Sequence, residues 1–151
     1  MTMPSTRRDF LFASAASSAA LAFASPLSAR ASLWLPRELE RRPFGKTDMK
    51  VTVLGFGGAE IGYERTDQKE VDKLLNGALD AGMNVVDTAE CYLDSEVAIG
   101  KAIGKRRKDY HLFTKCGHAP GFDGWTKESI GKSIDRSLER LQTDHVDLFQ
   151  L

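Results

Sequence analysis

An α/β fold built on a parallel sheet is predicted by two features of the sequence. Short apolar runs alternate with helical patterns of about ten to fifteen residues from Val53 onward. The first three apolar runs end in Gly57-Gly58, Asp87 and Lys115. Alternating strands and helices form βαβ units with right-handed crossovers. A doubly wound sheet and a (β/α)8 barrel both satisfy this pattern, and both place functional groups at the carboxyl ends of their strands.

Length and charge restrict the class of protein. The chain has 151 residues, which fits about one domain, and its 42% apolar residues are enough for a core. The 21 basic and 21 acidic residues cancel, so nothing indicates nucleic acid or an anionic membrane as a partner. Two cysteines do not make a disulfide framework, and no CxxC spacing occurs, so we predict no metal site.

Residues 1–31 have the pattern of an export signal that is removed from the mature protein. Arg7 and Arg8 form the positively charged N-terminal region of such a signal. The apolar run from Phe10 to Ala24 is too short to span a bilayer as an ordinary helix. Ala29-Arg30-Ala31 supplies a cleavage pattern. An Ala-rich amphipathic N-terminal helix is the structural alternative.

The string STRRDFLF resembles the twin-arginine export signal, in which Ser or Thr, two arginines, a variable residue, Phe and Leu occur in that order. The resemblance implies passage through the twin-arginine machinery to the periplasm, with no stable membrane anchor afterwards. Sec export is the alternative. We interpret residues 32–41 as a linker and residues 42–151 as the folded domain.

A hairpin and a buried strand are predicted at the start of the domain. Val51 and Val53 alternate with polar residues after a turn over residues 45–48, which indicates the hairpin. Val53 to Phe56 is predicted as a buried strand that leads into Gly57-Gly58.

Three helices and three more strands are expected after it. Asp67 is a predicted helix N-cap, Gly82 stands where a C-cap glycine belongs, and Thr126 caps the third helix. The predicted inward side of that third helix consists of Ile130, Ile134, Leu138 and Leu141. The remaining predicted elements are a strand at 84–86, a helix at 96–105, a strand at 110–114 and a strand at 145–151.

Three chemically active side chains are expected to meet at one edge of the sheet. Asp87 and Lys115 end neighbouring strands, and Tyr92 lies in the loop after Asp87. A free phenol has a pKa of about 10, and a nearby ammonium group stabilises the phenolate. A carboxylate beside the lysine would hold its charge and orientation. Such a tyrosine is suited to protonate a carbonyl oxygen that gains negative charge. A loop-capping acid, a packed tyrosine and a solvated lysine are the structural alternatives.

Residues 42–151 resemble the N-terminal half of the aldo-keto reductase family. The segments that carry the resemblance are RPFGKTDMKVTVLGFGGAEIG, NVVDTAECYLDSEVAIGKAI, LFTKCG and SIDRSLERLQTDHVDLFQL. In order and spacing they are similar to the family's opening hairpin and first strand, its D-T-A-x-x-Y segment, its lysine-bearing strand, and its third helix with the fourth strand. The resemblance implies the first half of a (β/α)8 TIM barrel, a hairpin followed by four strands and three helices.

The family's activity implies the reduction of small aldehydes or ketones to alcohols, with NADPH as the hydride donor. Asp87, Tyr92 and Lys115 would be three members of its catalytic tetrad, with Tyr92 as the general acid. Asp87 would also lie near the nicotinamide ribose. The residues expected under the nicotinamide end of the cofactor are Gly57, Gly58 and Ala59.

The resemblance also implies parts that this sequence does not contain. The family's catalytic histidine directly follows the fourth strand, and the sequence ends at Leu151. We therefore expect a truncated barrel that lacks this histidine and most of the cofactor site, is inactive alone, and has open sheet edges for self-association. A non-catalytic exported binding module and an inactive remnant are the alternatives. His145 precedes the fourth strand and is expected at the opposite edge, and Cys91 and Cys116 are expected to be ordinary thiols.

Overall fold

A computed structural model describes residues 38–151, which form a short hairpin and a parallel sheet with its helices. The strands are β1 (Arg41–Pro43), β2 (Lys50–Thr52), β3 (Phe56–Gly57), β4 (Val85–Asp87), β5 (His111–Lys115) and β6 (Leu148–Gln150). The helices are α1 (Ala59–Tyr63), α2 (Gln68–Asp80), α3 (Ser95–Ile103) and α4 (Lys127–Leu141), with a 3-10 segment at Gly104–Asp109. The predicted export signal and most of the predicted linker lie outside the described residues.

The four-stranded sheet follows the order of the chain, β3-β4-β5-β6, and every neighbouring pair is parallel. Helices α2, α3 and α4 pack against one another in the same sequence. A doubly wound sheet reverses its strand order at a switch point, whereas a (β/α)8 barrel continues in one direction. Within the described residues the order is that of a barrel. None of the described helices is long and apolar enough to cross a bilayer.

The hydrophobic core lies between the sheet and the helices. Val86 of β4 and Leu112 of β5 are fully buried there. The helical residues that cover them include Val71, Leu75, Ile99, Ile103 and Leu141. Burial of each such side chain contributes about 1.5–3 kcal/mol to the stability of the folded state. These residues recur at helical spacing, so one face of α2 and one face of α3 cover the sheet.

The predicted hairpin is confirmed, but the predicted buried strand from Val53 to Phe56 is wrong. Val53 and Leu54 are 47% and 61% exposed, and the sheet strand begins only at Phe56. The Val53 N–H still donates to the Glu40 carbonyl of the hairpin, at 2.9 Å. The Thr52 hydroxyl donates to the Leu54 carbonyl, at 2.6 Å. These two bonds occupy the polar groups of a bend, so the chain reaches the sheet later than its apolar pattern predicts.

Helix α4 is confirmed, but its predicted inward side is wrong in part. The Thr126 side chain caps the helix by accepting from the Ser129 N–H, at 3.1 Å. The buried residues are Ser129, Ser133, Ser137 and Leu141, while the predicted Ile130, Ile134 and Leu138 are only half-buried. Small residues at every fourth position let this helix approach its neighbours in the fold closely. A Cβ at Gly100 of α3 would overlap the carbonyl oxygen of Arg140.

Candidate active site

Asp87 and Lys115 form an ion pair at the carboxyl ends of β4 and β5. The Lys115 Nζ donates to both carboxylate oxygens of Asp87, at 2.8 Å each, and to the Thr88 carbonyl, at 2.9 Å. An ammonium group has three donors, so all of them are used. The lysine is thereby held in one orientation above the strand end.

Tyr92 completes the predicted group of three. The Lys115 Nζ lies 5.2 Å from the centroid of the Tyr92 ring, within the range of a cation–π contact. The Tyr63 ring packs beside it, with centroids 5.7 Å apart. The structure therefore brings Asp87, Tyr92 and Lys115 together at one edge, while their catalytic role stays a prediction.

A cavity of about 310 Å³ opens beside these side chains. Its lining includes Ala89, Cys91, Tyr92, Lys115, Cys116 and Trp125. The Trp125 ring covers Gly117, where a Cβ would come 2.5 Å from it, and its edge meets Phe122. The site thus combines a cation and a phenol with an apolar wall. No group of three His, Cys, Asp or Glu side chains within residues 38–151 is arranged to hold a metal ion.

A larger cavity, of about 480 Å³, lies at the opposite edge of the sheet. His111 and Asp147 line it, together with residues of the hairpin, and none of the three predicted site residues does. The His145 carbonyl accepts from Arg107 at this same edge, at 3.3 Å, so the predicted position of His145 is confirmed. We place the candidate site at the smaller cavity because Tyr92 and Lys115 line it and Lys115 is paired with Asp87.

The glycines predicted to lie under the cofactor have different surroundings. A side chain at Gly57 would meet open space, and this residue pairs with Asp87 in the sheet. Gly58 is buried, and a Cβ there would come 2.7 Å from the Ser95 Oγ. Its glycine identity therefore has a packing reason as well. Ala59 begins α1 directly after it. A cofactor contact at all three positions stays a prediction.

Backbone hydrogen bonds hold the loop that carries Tyr92. The Glu90 N–H donates to the Lys115 carbonyl at 3.0 Å, and the Tyr92 N–H donates to the Ala89 carbonyl at 3.1 Å. Gly62 of α1 is close to this loop, since a Cβ there would overlap the Tyr92 carbonyl oxygen. Leu93 follows with a φ of 49°, in the left-handed region that glycine favours.

Two buried glutamates were not predicted from the sequence. Glu90 accepts from the Ser133 hydroxyl and from the Arg136 Nε, the latter at 2.6 Å. Glu96 accepts from the Thr114 hydroxyl at 2.7 Å and from Arg140 at 3.4 Å. One signal for these contacts was available in the sequence of α4. Arg136 and Arg140 are four residues apart, and so are Ser129, Ser133 and Ser137, so each set lies on successive turns of the helix.

Burial also changes the acidity of a thiol at this edge. It raises the pKa of Cys116 above the usual thiol value, although a hydrogen bond with Ser133 opposes the change. Cys116 and the half-buried Cys91 are both free thiols. At neutral pH a raised pKa leaves Cys116 protonated, so the thiol acts as a packing group in the wall of the cavity.

Comparisons with known proteins bear on the family and the fold of the chain. Residues 53–151 match the sequence profile described as the Aldo/keto reductase family. An L-galactose dehydrogenase from Arabidopsis thaliana is 40% identical over 119 residues, which cover 74% of this chain and 37% of that protein. An uncharacterized oxidoreductase from Bacillus subtilis is 34% identical over 121 residues, which cover 75% of this chain and 39% of that protein.

A solved structure has the same fold. The holo form of an aldo-keto reductase from Bacillus halodurans superposes with a TM-score of 0.65 and 37% identity. The match covers 75% of this chain and 40% of that one. The chain therefore spans about two fifths of the length of these relatives.

Proposed function

The chain belongs to the aldo/keto reductase family of oxidoreductases, and we propose that it carries the proton-transfer residues of an NADPH-dependent carbonyl reductase. One observation supports the proposal most directly. Lys115 is bonded to both oxygens of Asp87 and lies over the ring of Tyr92. A phenol beside a fixed ammonium group is suited to donate a proton to a carbonyl oxygen.

The proposed reaction converts an aldehyde or ketone into an alcohol. Bound NADPH would supply a hydride to the carbonyl carbon. Tyr92 would donate its hydroxyl proton to the carbonyl oxygen, which completes the alcohol. Lys115 would stabilise the phenolate that remains, and Asp87 would keep the ammonium group in place. The substrate we propose is a small carbonyl compound, in keeping with the family to which the chain belongs.

The residues at this edge fit the nicotinamide end of such a cofactor. Gly57 presents open backbone beside Asp87, and no side chain blocks the approach. The Asp87 carboxylate is partly exposed and could accept from a ribose hydroxyl. We propose that Gly57 and Asp87 flank the nicotinamide and its ribose.

A chimera tests this proposal. Residues 42–151 would replace the matching part of the Bacillus halodurans aldo-keto reductase, whose own chain supplies the rest of the barrel. The expected result is NADPH-dependent reduction of small aldehydes, with a loss of about 100-fold or more in Tyr92→Phe. NADPH binding, followed by its fluorescence, should remain in that variant.

Tyr63→Phe is the matched control. The Tyr63 ring packs against Tyr92, so this variant removes a neighbouring hydroxyl without touching the proposed acid. It should keep most of the turnover. Full turnover in Tyr92→Phe, or equal losses in both variants, would contradict the role of Tyr92.

A further inference from the structure

Glu90 is a buried carboxylate that the proposed chemistry does not use. Its side chain is 1% exposed, and both of its oxygens have partners on α4. The Ser133 hydroxyl donates to one oxygen, and the Arg136 Nε donates to the other at 2.6 Å. Burying a carboxylate costs several kcal/mol unless it is paired and hydrogen-bonded, so these contacts make its position specific.

The position of Glu90 in the chain connects it to the site. It lies in the loop between Asp87 and Tyr92, and its own N–H donates to the Lys115 carbonyl at 3.0 Å. One residue therefore joins the tyrosine loop to the lysine strand through its backbone, and to α4 through its side chain.

We propose that Glu90 is a positioning residue: with Ser133 and Arg136 it fixes the loop so that the Tyr92 ring stays over Lys115. The catalytic consequence rests on the proposed function, whereas the fixing of the loop does not. Without the charge on residue 90, Arg136 loses its partner and can turn to solvent. The loop would then lose its ionic link to α4, and Tyr92 would sample other positions despite its contact with Tyr63.

Glu96 provides a matched control within the same chain. It is also fully buried, and it also pairs with a hydroxyl and with an arginine of α4. Its carboxylate, however, contacts Thr114 of β5 and Arg140, and Arg140 lies one turn after Arg136 in α4. Loss of its charge should lower stability without moving Tyr92 away from Lys115.

An NMR measurement on the 151-residue chain separates the two glutamates. The Tyr92 ring should shift the ε-methylene signals of Lys115 by its ring current, and the difference from Tyr92→Leu gives the size of that shift. We expect Glu90→Gln to lose more than half of it at a temperature where the variant is folded. Glu96→Gln should keep it. Ser133→Ala removes only one hydrogen bond, so it serves as a milder second variant if Glu90→Gln does not fold, and it should show a partial loss.

A wild-type ring-current shift in folded Glu90→Gln, or in Ser133→Ala if it alone folds, would overturn the proposal. An equal loss in Glu96→Gln would also overturn it, because the effect would then reflect general loosening. In the chimera, Glu90→Gln should lower kcat about 10-fold, which is less than the loss of about 100-fold or more expected when the general acid itself is removed, with the KM for NADPH unchanged. A wild-type kcat would overturn the positioning role. A chimera without any turnover would contradict the proposed function instead, and the NMR result would still decide whether Glu90 positions the loop.

Discussion

Lys115 differs from an ordinary surface lysine in how its charge is used. An exposed ion pair contributes about 0–1 kcal/mol, so the bond to Asp87 adds little to stability. Its effect is orientation, because three acceptor atoms fix the ammonium group over the ring of Tyr92. The pattern of strand ends predicts that these residues meet. It does not predict their cation–π geometry, which depends on the path of the loop after Asp87.

The backbone conformation of Leu93 in that loop lowers the stability of the fold. Its φ of 49° lies in the left-handed region, where a non-glycine residue costs about 1–2 kcal/mol. Leu93→Gly should therefore raise the free energy of unfolding by about 0.5–1 kcal/mol, after the entropy cost of glycine. Urea denaturation of the whole chain measures this. Leu93→Ala keeps the strained φ and should give no gain, and an equal gain in both variants would show that the exposed side chain was the cause.

At the level of whole elements, helix α4 and its Thr126 cap were predicted, but its inward side was predicted only in part. Its apolar stripe was expected to face the sheet, but of that stripe only Leu141 is fully buried, together with Ser133 and Ser137. The hydroxyl of Ser133 and the guanidinium of Arg136 reach a buried carboxylate there, and a sequence pattern based on hydrophobicity does not detect such contacts. The hairpin and α2 were predictable because their turn and capping residues act locally.

Asp147 links the amino ends of β5 and β6, and it makes stability depend on pH. Burial alone would raise its pKa, but the Leu112 N–H and the Arg107 guanidinium outweigh that effect and hold the pKa below the usual value. A lowered pKa in the folded state stabilises the protein above the unfolded pKa of about 3.9, and this stability is lost as the pH falls through the folded value.

Asp147→Asn should lower the free energy of unfolding by about 2 kcal/mol at pH 7. The difference from the wild type should shrink as the pH falls below about 4, because the unfolded carboxylate is protonated first and the native one only below its lowered pKa. Urea denaturation at several pH values measures both effects. Asp144→Asn is the control, because that side chain is 93% exposed and solvent screens its ion pair with His145. A difference that stays constant down to pH 2 would contradict the assignment.

For the whole molecule, the family and the (β/α)8 order were predictable because several segments agree in sequence and spacing. The late start of β3 was not, since it depends on hydrogen bonds between the bend and the hairpin. The relatives are more than twice as long as the matched region, so activity, substrate and cofactor remain proposals for the protein that carries this sequence.

The N-terminal residues make a separate prediction about export. We propose that the paired Arg7 and Arg8 direct the protein through the twin-arginine machinery to the periplasm. Replacing both with lysine should leave the protein in the cytoplasm, because the resemblance rests on the arginine pair. Cell fractionation of a Gram-negative host measures the periplasmic share. Arg30→Lys keeps the pair and should be exported normally, whereas continued export of the double variant through the same route would contradict the proposal.

The central claim is that Tyr92 and Lys115 act as one unit, and a double-mutant cycle in the chimera tests it most directly. Turnover would be measured for Tyr92→Phe, for Lys115→Met and for the two together. Residues that act as a unit show strongly non-additive losses. We predict that each single variant loses about 100-fold or more, and that the double variant is little worse than the poorer single one. Losses that multiply in the double variant, or turnover that survives both changes, would contradict the account.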